Sequence, residues 1–209
     1  ETQDAMDQNT LNFHYAEQNN RIDKLVLWVG CTPDIQNKYP QIIYNKNIRK
    51  MLTTLLTIWV HNRDIIQKLI KKDEDPEFLF SSQLKYYYEE AQKRMYVKQV
   101  DAQLDYQYEY LGNFDRLVIT PLTDRCFITL TSALAKTFGG NPLGPAGTGK
   151  SESFKDLAKS LAIGCYIFNC SEGLNEQSLS KFLMGLCICG MYSCLDEFNR
   201  CRLDVLSVV

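Results

Sequence analysis

Gly144-Pro145-Ala146-Gly147-Thr148-Gly149-Lys150-Ser151 decides how this 209-residue chain is read. The stretch satisfies G-x-x-x-x-G-K-[ST], the pattern of a phosphate-binding loop. At average residue frequencies, chance supplies it in on the order of 1% of chains this long. Each residue type has a physical duty. The glycines let the backbone curl so that the amides of Gly147, Thr148, Gly149 and Lys150 converge on phosphate oxygens, and the positive end of the following helix adds attraction. Lys150 neutralises the β and γ phosphates. Ser151, one residue into the helix, offers its hydroxyl to Mg²⁺, which keeps several waters and takes few protein ligands.

After the loop, Phe154, Leu157, Ala158 and Leu161 share one helical face, and Gly164 is placed to close that helix. Ile163 to Phe168 is a short apolar run, as expected of a parallel strand covered on both faces. Leu179, Phe182, Leu183 and Leu186 mark another helix, and Gly190 precedes a second strand, Met191 to Leu195. That strand delivers Asp196 and Glu197 at its carboxyl end, 46 residues after Lys150. Open parallel sheets bind their ligands at this edge.

Phosphate binding alone is not hydrolysis, which also needs a second magnesium anchor and a group to activate water. Asp196 suits the magnesium shell, directly or through water, and Glu197 suits the orienting and deprotonation of water. The competing reading of the Asp-Glu pair is a solvated turn. Asn169 ends the preceding strand, where it either hydrogen-bonds Glu197 or serves as an ordinary turn asparagine.

Before the loop, Leu117, Val118 and Ile119 lead into Thr120 and Pro121, an N-cap followed by proline at the first helical position. The helix repeats Phe127, Leu130 and Leu134, and Gly139 and Gly140 end it. Leu117 to Pro121 fold over the site as an apolar slot for adenine, or pack as core. Asn141-Pro142-Leu143 is a poor strand by propensity.

Residues 1 to about 105 read as helices. Ile22, Leu25, Val26 and Val29 share a face in a helix over 15–29, which Cys31 to Asp34 breaks. Leu52, Leu55, Trp59, Ile66 and Leu69 keep helical spacing from Ile48 to Ile70, up to the charged turn Lys71 to Pro76. Leu84, Tyr87, Tyr88, Met95 and Val97 predict a third helix from Phe78 to about Val100. Its aromatic residues suit core packing better than base stacking, since the region has no net positive charge.

Composition narrows the function. Hydrophobic residues make up 45% and charged residues 23%, the balance of a globular chain able to bury a core. A net charge of −2 recruits neither nucleic acid nor anionic lipid. No apolar run approaches the roughly 20 residues of a membrane span, and no secretory signal is visible, which points to the cytoplasm. The eight cysteines include no CxxC pair, and the only histidines, His14 and His61, lie far from the six cysteines of the last 45 residues. That spacing suits reduced core thiols better than a metal cluster, and two histidines leave little scope for Ser-His or Cys-His catalysis.

The residues resemble one family, the dynein heavy chains, at the junction of the linker with the first AAA+ module of the motor ring. Tyr108 to Asn113, Arg116-Leu-Val-Ile-Thr-Pro-Leu-Thr-Asp-Arg125, the loop itself, Phe168-Asn169-Cys170-Ser171 and Asp196-Glu-Phe-Asn-Arg200 stand in the order of that family's signature segments. Ile58 to Asp64 and Ser82 to Tyr88 resemble the end of the linker. Lys155 to Lys159 and Leu203 to Ser207 are more similar to axonemal, inner-arm-like chains than to cytoplasmic ones. Ser151 departs from the usual threonine, Met191-Tyr192-Ser193 from a small-residue-plus-tryptophan pattern, Leu195 from phenylalanine and Cys201 from an aliphatic residue.

The resemblance implies an α/β P-loop NTPase fold of the AAA+ type: a three-layer parallel sheet, incomplete at its C-terminus, preceded by an all-helical linker segment. Residues 1–105 would be the C-terminal part of the linker and 106–209 the large AAA+ subdomain, truncated after the Asp-Glu strand. It implies the principal ATPase site of a minus-end-directed microtubule motor, cycling ATP and ADP with Mg²⁺. The cytoskeleton of a cilium or flagellum, the axoneme, would house it. Microtubules would be bound by other parts of the parent chain, a neighbouring AAA+ module would supply an arginine finger, and dynein intermediate and light chains would associate. Neither nucleic acid nor membrane is an expected partner. The isolated stretch reads as a fragment with weak nucleotide binding and negligible turnover. Two alternatives stay open: a regulatory AAA+ clamp, or truncated divergent dynein, that binds nucleotide without cycling, and a different AAA+ remodeller with a helical adaptor.

Overall fold

The computed structural model describes residues 8–30, 45–71, 75–145, 147–170 and 174–207. The expected break at Cys31 to Asp34 and most of the turn after Lys71 lie outside them. The chain divides into two compact, interleaved units: residues 1–85, 98–102 and 112–128, and residues 86–97, 103–111 and 129–209.

In the first unit, α1 (Gln8–Val29) and α2 (Lys46–Lys71) pair along their apolar faces. Leu25 meets Leu52 in a cluster with Trp28, Leu55 and Trp59, while Leu11 meets Ile65, Ile66 and Leu69 together with Leu79 of α3 (Pro76–Ser81). The start of α1 thus packs on the end of α2, so the two run antiparallel. Burying each such Leu or Ile is worth about 1.5–3 kcal/mol. Ile22 and Leu25 are buried as the spacing predicts, but Val26 is half exposed, because the contact stripe is narrower than the apolar run. Asp75 caps α3, its carboxylate accepting from the amide of Glu77 at 3.2 Å.

The third helix expected from Phe78 to Val100 is corrected by the structure. Only α3 is helical there. It is followed by β1 (Lys85–Glu89), β2 (Arg94–Gln99) and β3 (Ala102–Asp105), three strands paired in chain order. Connections of four and two residues permit only antiparallel pairing. Tyr86 and Tyr88 are exposed while Lys85, Tyr87 and Glu89 are half-buried, the alternation of a strand. Tyr87 stacks on Tyr96 at 5.4 Å, and Arg94 Nε donates to Glu89 Oε2 at 3.1 Å across the hairpin. Aromatic residues favour such half-buried pleated surfaces, and here that preference outweighs a helical spacing of the same tyrosines.

α4 (Pro121–Ala135) opens as expected: the amide of Thr120 donates to Thr123 Oγ1 at 2.7 Å, and the amide of Thr123 to Thr120 Oγ1 at 3.3 Å. It ends at Ala135, before the glycines, with Thr137 taking the left-handed position at φ 62°.

In the second unit, α5 (Lys150–Ser160), β4 (Cys165–Asn169), α6 (Glu176–Cys189) and β5 (Tyr192–Asp196) follow the expected alternation. β4 and β5 pair in parallel. Leu179, Cys170, Cys201 and Val205 form the core between α6, the strands and the short α7 (Leu203–Leu206). β4 is not covered on both faces, since Tyr166 is 53% exposed. Gly164 does not close α5. Ala162 takes the left-handed position at φ 50°, and the amides of Ala162 and Ile163 close back on the carbonyls of Lys159 and Ala158, each at 3.1 Å. Gly164 answers a different need, because a Cβ there would lie 2.7 Å from Glu109 Oε2 and 2.8 Å from Met191 Cε. Among the described residues, no helix is long and apolar enough to cross a membrane.

Candidate nucleotide-binding site

The loop Gly144 to Ser151 feeds directly into α5. Gly149, the N-cap, sits at φ 82° and ψ 21°, and Gly147 at φ 76°, the left-handed region that a side chain disfavours. Ala146 lies outside the described residues. Thr148 Oγ1 donates to the Pro145 carbonyl at 2.9 Å and braces the curl. Lys150 Nζ folds over the loop and donates to the carbonyls of Gly144 at 2.8 Å and Pro145 at 2.7 Å. The two carbonyls satisfy the ammonium and hold it over the loop.

The parallel ladder fixes the carboxylates. Ile167 pairs with Cys194 and Asn169 with Asp196, and the amide of Cys170 donates to the Asp196 carbonyl at 2.9 Å. Phe154 of α5 lies 6.1 Å from Tyr192 of β5, ring to ring, and the Ser151 side chain neighbours the Cys194 thiol. α5 therefore runs antiparallel to β5. Strand side chains alternate faces, so Tyr192, Cys194 and Asp196 share the face toward α5, with Asp196 at the loop end. Half-buried Asp196 accepts from the Glu197 amide at 3.1 Å through Oδ1.

Glu197 leaves the strand in a left-handed conformation, φ 53° and ψ 36°, at the head of a 3₁₀ turn, Phe198–Arg200. Its Oε2 faces Arg200 Nε at 3.2 Å. Non-glycine residues held left-handed cost on the order of 1 kcal/mol and concentrate at functional sites. Asn169 is aligned with Asp196, one residue short of Glu197.

Leu117, Val118 and Ile119 precede α4 in irregular backbone, with Val118 70% exposed, and Pro121 opens that helix. They belong to the first unit, and the loop to the second.

The thiols report the local environment. Burial pushes Cys194 up, aided by the Asp196 carboxylate and opposed by the neighbouring Ser151 hydroxyl and the charge of Lys155. Burial likewise pushes Cys165 and Cys170 up to about 11. The sequence reading passed over Cys194 and Arg200 as site residues. Cys194 was findable two residues before Asp196 on the same strand face, and Arg200 three residues after Glu197, within reach across one turn.

Residues 106–209 match the family model of the hydrolytic ATP binding site of the dynein motor region. The human dynein axonemal heavy chain 12 is 48% identical over 184 residues, covering 84% of this chain and 6% of that protein. Mouse dynein axonemal heavy chain 2 is 46% identical over 194 residues, covering 90% and 4%. Human dynein axonemal heavy chain 1 is 50% identical over 163 residues, covering 77% and 4%. The chain thus spans about one-twentieth of the length of these relatives. Glycine cradle, parallel register and matched signature converge: this chain belongs to the dynein heavy-chain family, and its second half is the family's ATP-binding region.

Proposed function

We propose that the segment binds ATP with Mg²⁺ at Gly144 to Ser151 and contributes the chemical groups for its hydrolysis. Ser151 and Asp196 would hold the metal, which supplies charge neutralisation at the β and γ phosphates. The donor set fits: a hydroxyl at the first turn of the helix and a half-buried carboxylate at the loop end of the facing strand are hard oxygen ligands few enough to leave the metal its waters. The amides of Gly147, Thr148, Gly149 and Lys150 would bind phosphate, and Lys150 would exchange its two carbonyl partners for phosphate oxygens. Glu197 would accept a proton from water, and Asn169, aligned with Asp196, would hydrogen-bond Glu197 and steady its carboxylate. Leu117, Val118, Ile119 and Pro121 are assigned to adenine on their place in the sequence.

In the parent protein we read residues 1–105 as the end of the linker and 106–209 as the opening of the first AAA+ module. ATP hydrolysis would drive linker movement and minus-end-directed force on microtubules in a cilium or flagellum. A neighbouring module would supply an arginine finger, and intermediate and light chains would join the assembly. The observation that carries the reading is the cradle, with Gly147 and Gly149 left-handed and Asp196 at the facing strand end. Equilibrium binding of a fluorescent ATP analogue to the 209-residue chain tests it. Lys150→Ala is expected to weaken binding about 10- to 100-fold, the worth of charged hydrogen bonds. A native chain that binds no nucleotide overturns the proposal.

A further inference from the structure

The far end of α5 is held as deliberately as its phosphate end. After the amides of Ala162 and Ile163 have closed the helix, the carbonyls of Ser160, Leu161 and Ala162 still need donors. All three residues are buried, at 3%, 1% and 5% exposure, which bars water as the general solution. Tyr86 Oη of β1 donates to the Ser160 carbonyl at 3.0 Å. The amides of Gln107 and Glu109 donate to Leu161 at 3.1 Å and Ala162 at 2.9 Å.

The donors are themselves fixed. Tyr86 packs edge-on against Tyr106 at 6.2 Å, and Tyr106 against Tyr108 at 5.1 Å. The amide of Tyr106 donates to the Met95 carbonyl at 3.2 Å, and the amide of Met95 to Tyr108 Oη, so the segment is bonded to the meander. The Glu109 carboxylate lies against Gly164, where a Cβ has no room.

We infer that Tyr86, which precedes the residues matching the ATP-site family model, is a positioning residue for the phosphate loop, acting through α5. The inference rests on the nucleotide reading above. An eleven-residue helix is a rod about 16 Å long, and its internal hydrogen bonds keep it from absorbing strain between its ends. Phosphate drawn onto the amides at one end therefore favours the placement of α5 that the three carbonyl bonds hold at the other. Linkage makes the effect reciprocal: nucleotide tightens the joint, and a loosened joint weakens nucleotide binding by the same factor. Gln107 and Glu109 act through backbone amides, which leaves the Tyr86 hydroxyl as the side-chain group on which substitution can act.

The test is amide hydrogen exchange at Gln107 and Glu109 in the native 209-residue chain, with and without saturating ATPγS and magnesium, beside the ATPγS affinity of Tyr86→Phe. Nucleotide is expected to slow exchange at both amides, with the same slowing in Lys150→Ala reached only at about 10- to 100-fold higher ATPγS. Tyr86→Phe is expected to weaken affinity about 2- to 10-fold, the loss of one neutral hydrogen bond. Nucleotide that binds the native chain without slowing exchange at Gln107 and Glu109, or a Tyr86→Phe affinity equal to the native one, overturns the inference and leaves the nucleotide site standing. A native chain that binds no ATPγS overturns both.

Discussion

The Ser151 side chain of α5 neighbours the Cys194 thiol of β5, two strand positions before Asp196. The hydroxyl assigned to magnesium therefore sits beside the same strand that carries the assigned carboxylate. This couples helix and strand at the point where their ligands must converge.

Cys194→Ala removes the thiol beside the Ser151 hydroxyl and is expected to lower ATPγS affinity in magnesium about 2- to 10-fold. Affinity in excess chelator should be unchanged, since the phosphate amides are untouched. Titrations with and without magnesium measure the difference, and an equal loss in both would indicate a general packing defect.

Glu197 pairs with Arg200 at 3.2 Å, while its backbone is held left-handed. In the full-length heavy chain, Glu197→Gln keeps the size of the side chain and removes its basicity. ATP should remain bound without turnover, with hydrolysis falling at least about 100-fold, the low end of what a positioned general base contributes. Quenched-flow analysis of the bound nucleotide checks this. Bound ADP at the native rate would exclude Glu197 as the base.

Thiol alkylation should separate the cysteines by environment. Cys187 and Cys189 are exposed on the last turn of α6, whereas Cys165 and Cys170 have thiols pushed up to about 11 by burial. Since the thiolate is the nucleophile, mass spectrometry after iodoacetamide at pH 8 should find Cys187 and Cys189 modified first. Cys165 and Cys170 should react only as the chain unfolds. Early modification of Cys170 would contradict its place in the core.

Asp124, near the start of α4, has a carboxyl raised above its ordinary value, chiefly by burial, with His61 and Lys68 pulling it back. A carboxyl raised in the folded state binds more protons there than in the unfolded chain. Its contribution to stability falls as pH climbs above the unfolded pKa, near 3.8. Asp124→Asn should therefore match or exceed the native chain in thermal stability at pH 7, and its advantage should shrink toward pH 4. Melting curves across that range decide the sign.

The phosphate loop, the helix it opens, the two following strands and the carboxyl-end Asp196 and Glu197 were legible in the residues. Loop chemistry demands glycine at particular positions, and apolar runs bounded by glycine and asparagine leave few alternatives. The run Leu84 to Val97 misled because Leu84, Tyr87 and Tyr88 fit a helical face as well as a strand, and only cross-strand partners such as Tyr96 for Tyr87 and Glu89 for Arg94 separate the two. The two acids were likewise predictable in position along the chain but not in setting. Register places Asn169 against Asp196, and Arg200 engages Glu197.

The sequence by itself determined that a glycine-rich loop curls into the head of a helix and which family the chain belongs to, because backbone geometry there is dictated by local residue type. Only the tertiary structure decided what grips the cradle from behind: Tyr86 on Ser160, Cys194 on Ser151, Glu109 against Gly164. Those contacts join residues 43 to 74 positions apart, or wedge a glycine for lack of space, and nothing in local propensity or periodicity encodes which distant groups will meet.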